Sequence, residues 1–118
     1  MQTTDPTEGL YVASASVGEG RITDLQAFSE TRARLTGHLK DLEVLEGRHL
    51  QLDELPAYEL IARANDVQSG TAMQLYQVVV QDGDGYFIIQ GLVGAARAPD
   101  FLPEFRRVTS SFRKVSAD

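Results

Sequence analysis

Two aspartates and two glycines, DGDG at residues 82–85, form the pattern in this chain that most resembles a metal-binding loop. Aspartates spaced by one residue open calcium loops, where their carboxylate oxygens coordinate the ion. A calcium loop that began at Asp82 would need glycine at its sixth position and glutamate at its twelfth. Those positions hold Phe87 and Val93, which cannot take these roles. The pattern therefore predicts a tight turn between two strands instead of a metal site.

The other residues that could carry chemistry do not form a recognisable site. His38 falls on a predicted helix with no second ligand four residues away, and His49 falls in a predicted strand. The chain has no cysteine, and no serine lies in a GxSxG motif. The glycines of GLVGAA, residues 91–96, lack the lysine of a phosphate-binding loop. We therefore predict no enzymatic activity, no cofactor and no metal.

The DGDG turn also predicts how the strands on either side of it pair, with Gly83 and Asp84 at its two central positions. The facing pairs are then Gln81 and Tyr86, Val80 and Phe87, Val79 and Ile88, Val78 and Ile89, and Gln77 and Gln90. One face carries Tyr76, Val78, Val80, Phe87 and Ile89; the other combines Leu75, Val79, Ile88 and Leu92 with Gln77, Gln81, Tyr86 and Gln90. Because both faces are partly apolar, we expect a helix layer on each side of this hairpin.

Three more strands are predicted before this hairpin. A short strand from Leu10 ends at VGEG, residues 17–20, and residues 44–64 form two strands joined around Asp53 and Glu54. The second of these two has one clean apolar face, made of Tyr58, Leu60, Ala62 and Ala64. The first is less regular, because its apolar and charged residues share a side: Val44, Leu50 and Leu52 with Glu46 and Arg48.

Two amphipathic helices are predicted to pack on the strands. The first covers residues 24–41 and starts at the capping pair Thr23 and Gln26. Its apolar stripe consists of Leu25, Phe28, Leu35, Leu39 and Leu42. The second helix starts near Pro99, includes Pro103 in its first turn, and has one face made of Phe101, Phe105, Val108 and Phe112. The basic residues near its end, Arg106, Arg107, Arg113 and Lys114, suit the negative pole of a helix C-terminus.

Length and charge limit the classes of protein that fit. A chain of 118 residues fits one domain, predicted over residues 10–115 after a polar segment at 1–9. The net charge of −6 disfavours nucleic acid and anionic membranes as partners. No apolar run is long enough for a transmembrane segment. The start MQTTDPTEG is not the basic-then-apolar start of a signal peptide, which fits a cytoplasmic protein for the sequence as given, and an exported, trimmed mature domain would look the same, so the sequence leaves the compartment open.

Three stretches of the chain resemble the PsbP-like superfamily: LDELPAYEL at 52–60, LYQVVVQDGDGYFIIQG at 75–91, and FLPEFRRVTSSFR at 101–113. That superfamily includes a Ran-binding nuclear transport factor and Eag-type effector chaperones, and similar phrases occur in accessory domains of some bacterial peptidases. The resemblance implies an α/β/α sandwich, no shared catalytic residues and binding of another protein. Family members usually carry two further strands before the one at Leu10, so either those strands are absent here or the chain is trimmed. A trimmed chain would expose a sheet edge suited to a partner or a homodimer.

The fold class predicted from these patterns is α+β, an antiparallel sheet of about five strands flanked by two helices. The leading function is a non-enzymatic accessory domain that binds another protein, in a soluble and bacterial setting. Its predicted partner-binding face is Gln77, Tyr86 and Gln90, provided that no helix covers them. The alternatives are a chaperone or adaptor for a secreted or membrane effector, and a ligand carrier or enzyme with a pocket near Tyr58, Tyr86 and His49.

Overall fold

The computed structural model describes residues 11–37 and 39–110, with side chains from residue 16 onward. His38, Leu10 and Phe112, which the sequence assigned to elements, lie outside the described residues. The elements in chain order are β1 (Tyr11–Glu19), α1 (Leu25–Arg34), β2 (Leu39–Leu52), β3 (Leu55–Asp66), β4 (Ala72–Asp82), β5 (Gly85–Gly94), a short 3-10 turn (Ala95–Arg97) and α2 (Ala98–Ser110).

The five strands form one sheet in the order β1-β5-β4-β3-β2. Every neighbouring pair is antiparallel, and β1 and β2 are the two edge strands. One face of the sheet packs against α1 and the other against α2. The predicted α+β class, with five antiparallel strands between two helices, is confirmed.

The hairpin of β4 and β5 has the predicted register. Its turn places Gly83 and Asp84 between the facing residues Asp82 and Gly85, and all five predicted cross-strand pairs occur. Gly83 has a φ of 60°, a left-handed conformation that glycine adopts without the penalty of a Cβ atom. The DGDG residues therefore form the turn that joins β4 to β5.

Each face of the sheet has its own hydrophobic cluster. The cluster under α2 consists of Leu52, Ala57, Ile61, Tyr76, Val78, Val80, Val93, Ala98 and Phe105. The cluster under α1 consists of Ala33, Tyr58, Leu60, Ala62 and Leu75. Alternate residues of β3 and β4 contribute to opposite clusters, which is why the predicted hairpin faces were both partly apolar. Burial on both faces confirms that the central strands lie between two helix layers.

A β-bulge explains one part of the irregular pattern of β2, the placement of Val44 on the opposite face from Leu50 and Leu52. The pairing with β3 passes from Val44 opposite Ala62 directly to Glu46 opposite Ile61, so Leu45 is an extra residue. An extra residue reverses which face the following side chains occupy. Val44 accordingly packs in the cluster under α1, whereas Leu50 packs in the cluster under α2.

The predicted helix at residues 24–41 is too long. The structure ends α1 at Arg34 and starts β2 at Leu39, so Leu39 and Leu42 belong to a strand. Leu35, which was placed on the buried stripe, is 67% exposed. The cap is also one residue later than predicted, because the Asp24 carboxylate accepts a hydrogen bond from the backbone N–H of Ala27 at 3.0 Å. Pairing with β3 outweighs the local helical spacing.

Two details of the predicted second helix also differ in the structure. Pro103 lies in the second turn of α2 instead of the first, because the helix begins at Ala98. Val108 is 45% exposed, while the neighbouring Thr109 is buried against the sheet. Phe101 and Phe105 do pack on the cluster under α2, so the direction of the aromatic stripe is confirmed over the first three turns.

Candidate functional site

Tyr86 occupies a fixed position where β1, β5 and α1 meet. It lies directly opposite Gly18 in the antiparallel pairing of β1 with β5. The Tyr86 ring covers Gly18 so closely that a methyl group at residue 18 would overlap it. On its other side the ring meets Phe28 of α1 edge-on, with the ring centroids 5.0 Å apart. The aromatic ring is therefore held between an edge strand and a helix, and it remains half-buried.

Two concavities adjoin at Tyr86 and share it as a wall. The smaller, of about 440 Å³, lies between the segment that follows β1 and the first turns of α1. The larger, of about 590 Å³, lies between the end of β1 and the DGDG turn. Both are open surface depressions of the size that accommodates side chains of a bound peptide or a small molecule. We call the two together the Tyr86 concavity.

The lining of the Tyr86 concavity is aromatic and acidic. The aromatic residues are Phe28, Tyr86 and Phe87, and the exposed Val17 adds an apolar side chain. The charged residues are four carboxylates and one arginine: Glu19, Asp24, Asp82, Asp84 and Arg21. The excess of carboxylates produces a negative potential, and the aromatic faces are suited to an apolar or cationic group.

Hydrogen bonds connect the segment after β1 to the β4–β5 hairpin beneath the concavity. The backbone N–H of Gly20 donates to the carbonyl oxygen of Asp84 at 2.5 Å. The backbone N–H of Ile22 donates to the side-chain oxygen of Gln81 at 3.0 Å. The amide of Gln81 in turn donates to the carbonyl oxygens of Gly83 and Gly85. The walls of the concavity are therefore joined before any partner arrives, which lowers the entropy cost of binding.

The three residues of the predicted partner-binding face have different environments in the structure. Gln77 is completely buried, and its side-chain amide donates to the carbonyl oxygen of Ser29 in α1 at 2.8 Å. The Gln90 amide donates to the side-chain oxygen of Gln77 at 2.7 Å. The condition for that face, that no helix covers it, is not met at Gln77, because α1 lies over it. Tyr86, beyond this covered region, is the member of the three that lines the concavity.

The alternative pocket near Tyr58, Tyr86 and His49 is not assembled in the structure. Tyr58 is buried on β3, covers Gly47 of β2, and contacts His49 edge-on with the ring centroids 4.8 Å apart. Strand β4 separates β3 from β5, so Tyr86 stands on the far side of it. Burial, followed by the charges of Glu30 and Asp24, raises the pKa of Tyr58. A tyrosine with a raised pKa stays protonated and is a poor general base.

A buried carboxylate on the opposite face of the sheet was not predicted. Glu59 of β3 is 2% exposed and lies under α2. Its carboxylate accepts hydrogen bonds from Arg48 Nε at 2.7 Å and Tyr76 Oη at 2.5 Å, and Arg106 Nη2 lies 3.3 Å away. The Arg48 and Arg106 side chains are 55% and 39% exposed, whereas the Arg106 Nε atom is buried without a hydrogen-bond partner. We call this set the Glu59 cluster.

The carboxylate at the centre of the Glu59 cluster is electrostatically satisfied. Burial by itself would raise the pKa of Glu59, but the hydrogen bonds from Arg48 and Tyr76 and the charges of both arginines outweigh it, so the pKa lies below its usual value. Burial first, and then the hydrogen bond to Glu59, raise the pKa of Tyr76 well above its usual value. Hydrogen bonding to Glu59 raises the pKa of Arg48. These groups stabilise one another in fixed ionisation states, which suits a structural role.

Part of the Glu59 cluster had a signal in the sequence. A turn centred on Asp53 and Glu54 places Arg48 directly opposite Glu59, and the structure has this pair. A buried glutamate opposite an arginine is a pattern that strand pairing alone can reveal. The second arginine, Arg106, comes from α2, and no local pattern brings it to this position.

The structure also bears on metal binding and on membrane insertion. Within residues 11–37 and 39–110, no three histidine, aspartate or glutamate side chains lie close enough to hold a metal ion. Neither α1 nor α2 is long and apolar enough to cross a bilayer.

Comparisons with known proteins identify solved structures that have a similar fold. No family model and no curated protein matches the chain. Among solved structures, the protein of unknown function PA94 from Pseudomonas aeruginosa, a candidate regulator, superposes with a TM-score of 0.66 over 89% of this chain and 74% of its own, at 12% identity. Cyanobacterial PsbP from Synechocystis sp. PCC 6803 superposes with a TM-score of 0.64 over 87% of this chain, at 14% identity. The chain has a PsbP-like fold. The chain covers 66% of the cyanobacterial protein, so about a third of that protein has no counterpart here.

At these identities the likeness establishes the fold of the chain and no residue roles. Neither of these two similar proteins is described as an enzyme. The function must therefore be argued from the surface of this chain.

Proposed function

We propose that this PsbP-like domain is a non-enzymatic accessory domain that binds another protein at the Tyr86 concavity. The observation that carries the proposal is the position of Tyr86, a half-buried aromatic ring shared by two adjoining depressions. Tyrosine is enriched at the centres of protein interfaces, because it combines a large apolar ring with a hydrogen-bonding hydroxyl.

The state of the other polar groups supports binding over catalysis. Glu59, the most buried carboxylate, has its oxygens occupied by Arg48 and Tyr76. Tyr58 has a raised pKa and lies apart from the concavity. A general acid or base must reach a reacting group with a proton to exchange, and neither residue meets that requirement.

Blocking the concavity tests the proposal. Ala27 is exposed on α1 and lines the smaller depression, so Ala27→Arg fills that space without removing a core side chain. Gln26 is its exposed neighbour and does not line the depression, so Gln26→Arg is the matched control with the same added charge. The measurement is affinity capture from the native host with each variant as bait, at equal loading.

The expected result is a stoichiometric protein partner with wild type and with Gln26→Arg, and its loss with Ala27→Arg. Thermal unfolding of the three baits must give the same midpoint, since loss of the fold would also lose the partner. Equal capture by Ala27→Arg would refute binding in the smaller depression, which Ala27 lines, and the absence of a stoichiometric partner at high bait concentration would refute the proposed function.

A further inference from the structure

The two edges of the sheet differ in their protection against strand addition. Edge strand β2 carries two irregularities, between Lys40 and Glu43 and between Val44 and Glu46, together with several charged residues. Bulges and charges are the usual means of blocking an exposed edge. Strand β1, YVASASVGE, pairs in a regular register with β5 and carries no charge before Glu19. Among the described residues, no strand pairs with the outer edge of β1. That edge can accept an extended segment from a partner.

The edge of β1 leads directly into the Tyr86 concavity. Val17, Gly18 and Glu19 form the end of β1 and also line the larger depression. A strand added along β1 would therefore bring one of its side chains to the opening between Glu19, Asp84 and Tyr86. Gly18, at the centre of this stretch, has no side chain of its own, and the Tyr86 ring covers it.

The chemistry of the depression selects the side chain that it accepts. Its charged lining consists of Glu19, Asp82 and Asp84 with Arg21, so carboxylates exceed basic groups. The Tyr86 ring offers an aromatic face in the same space. A lysine or arginine gains both from nearby carboxylates and from an aromatic face. The net charge of −6 on the whole chain would also attract a basic segment at long range.

We infer that the partner segment is an extended strand with a basic residue, whose backbone pairs with β1 and whose lysine or arginine enters the larger depression. The inference rests on the proposed function, since it names the chemistry of the partner at the same site. A second copy of this acidic chain is the competing occupant of the β1 edge, and it is an outcome of the test.

Binding of defined peptides tests the inference on the full chain. Three blocked peptides match β1 in length, nine residues, and alternate valine with lysine, serine or glutamate. Backbone amide shifts of the ¹⁵N-labelled protein report both the site and the dissociation constant. The lysine peptide is expected to bind at least about tenfold more tightly than the serine peptide, and the glutamate peptide more weakly than either. The shifts are expected in β1 and around Glu19 and Tyr86.

Charge-neutralising variants distinguish binding to the carboxylates of the larger depression from attraction to the net negative charge of the whole chain. Glu19→Gln with Asp84→Asn should bring the lysine peptide to the affinity of the serine peptide. Glu43→Gln with Glu54→Gln removes the same charge from β2 and its turn, so it should leave the preference intact. Raising the salt from about 50 mM to about 500 mM should shrink the preference by screening.

Several results would overturn the inference. Equal binding of the lysine and serine peptides, or shifts centred away from β1, would refute it. So would a dimer in sedimentation that pairs through β1 and that the lysine peptide does not dissociate. If Ala27→Arg loses the natural partner while the Glu19 and Asp84 double variant retains it fully, the proposed function stands and the basic segment is refuted.

Discussion

Glu59→Gln is expected to destabilise the domain substantially, although it preserves the size and shape of the side chain. The carboxylate accepts from Arg48 at 2.7 Å and from Tyr76 at 2.5 Å, and Arg106 lies 3.3 Å away. A neutral amide can still accept from Tyr76, but it loses the charge that both arginines neutralise.

The magnitude follows from the burial of each partner. Removing one member of a buried ion pair costs about 3 to 5 kcal/mol, mainly because the remaining charge is left buried and unpaired. Here the Arg48 and Arg106 side chains are 55% and 39% exposed, so water can solvate part of each charge after the substitution, although the Arg106 Nε atom is buried. The expected loss of unfolding free energy is therefore about 2 to 3 kcal/mol, at or below the low end of that range. For a domain of this size it corresponds to about 10 °C in the unfolding midpoint.

The pH dependence has a definite sign. The pKa of Glu59 is lower in the folded protein than its usual value, so ionised Glu59 favours folding. This stabilisation is fully present above the pKa of an unfolded glutamate, about 4.3, and it disappears as the pH falls through the folded value. Wild type and Glu59→Gln should therefore differ most above pH 5 and converge in acid.

Urea unfolding of wild type, Glu59→Gln and Glu46→Gln between about pH 3 and 7 measures this difference. Glu46→Gln is the matched control, since Glu46 contacts the same Arg106 at 3.2 Å but is 59% exposed. An exposed ion pair contributes about 0 to 1 kcal/mol, so that variant should be nearly neutral. If Glu59→Gln costs no more than Glu46→Gln at pH 7, or if its cost does not shrink as the pH falls below the unfolded pKa of about 4.3, the buried charge does not stabilise the fold as argued.

Two further substitutions test backbone features. Gly91→Ala should lower the free energy of unfolding in urea by about 1 to 3 kcal/mol, because the added methyl overlaps the buried Phe105 ring. Gly37→Ala is the control and should not lower it, because the space around Gly37 is open. Equal effects of the two substitutions would contradict the packing argument. Glu54→Gly should raise the free energy of unfolding by about 1 kcal/mol, since Glu54 has a φ of 67° that glycine adopts without strain. A lower free energy of unfolding in this variant would contradict the argument that Glu54 strains the turn.

Local chemistry determined both hairpins. The DGDG turn and the turn at Asp53 and Glu54 fixed which residues face each other in β4 and β5 and in β2 and β3 near that turn. Turn residues and a side-chain period of two are properties of neighbouring residues, so the sequence contains them. The same reasoning predicted two covered faces, and the structure has them.

The errors occurred where a distant partner decides the conformation. Leu35, Leu39 and Leu42 have helical spacing, yet β2 begins at Leu39 because that segment pairs with β3. The bulge at Leu45 reverses the faces of β2 and hides its true alternation. Short apolar patterns fit either element, and only the pairing in three dimensions chooses between them.

For the candidate site too, the sequence predicted one part and the tertiary structure decided the other. The sequence alone placed Gln77, Tyr86 and Gln90 on one half-polar face, because strand residues alternate between faces with a fixed period. It could not say where along that face the helix lies. The tertiary structure sets α1 over Gln77 and leaves Tyr86 at its border, beside β1 and the DGDG turn. Alternation assigns a residue to a face, whereas the position of a packed helix depends on contacts between residues far apart in the chain, here Ser29 with Gln77 and Phe28 with Tyr86.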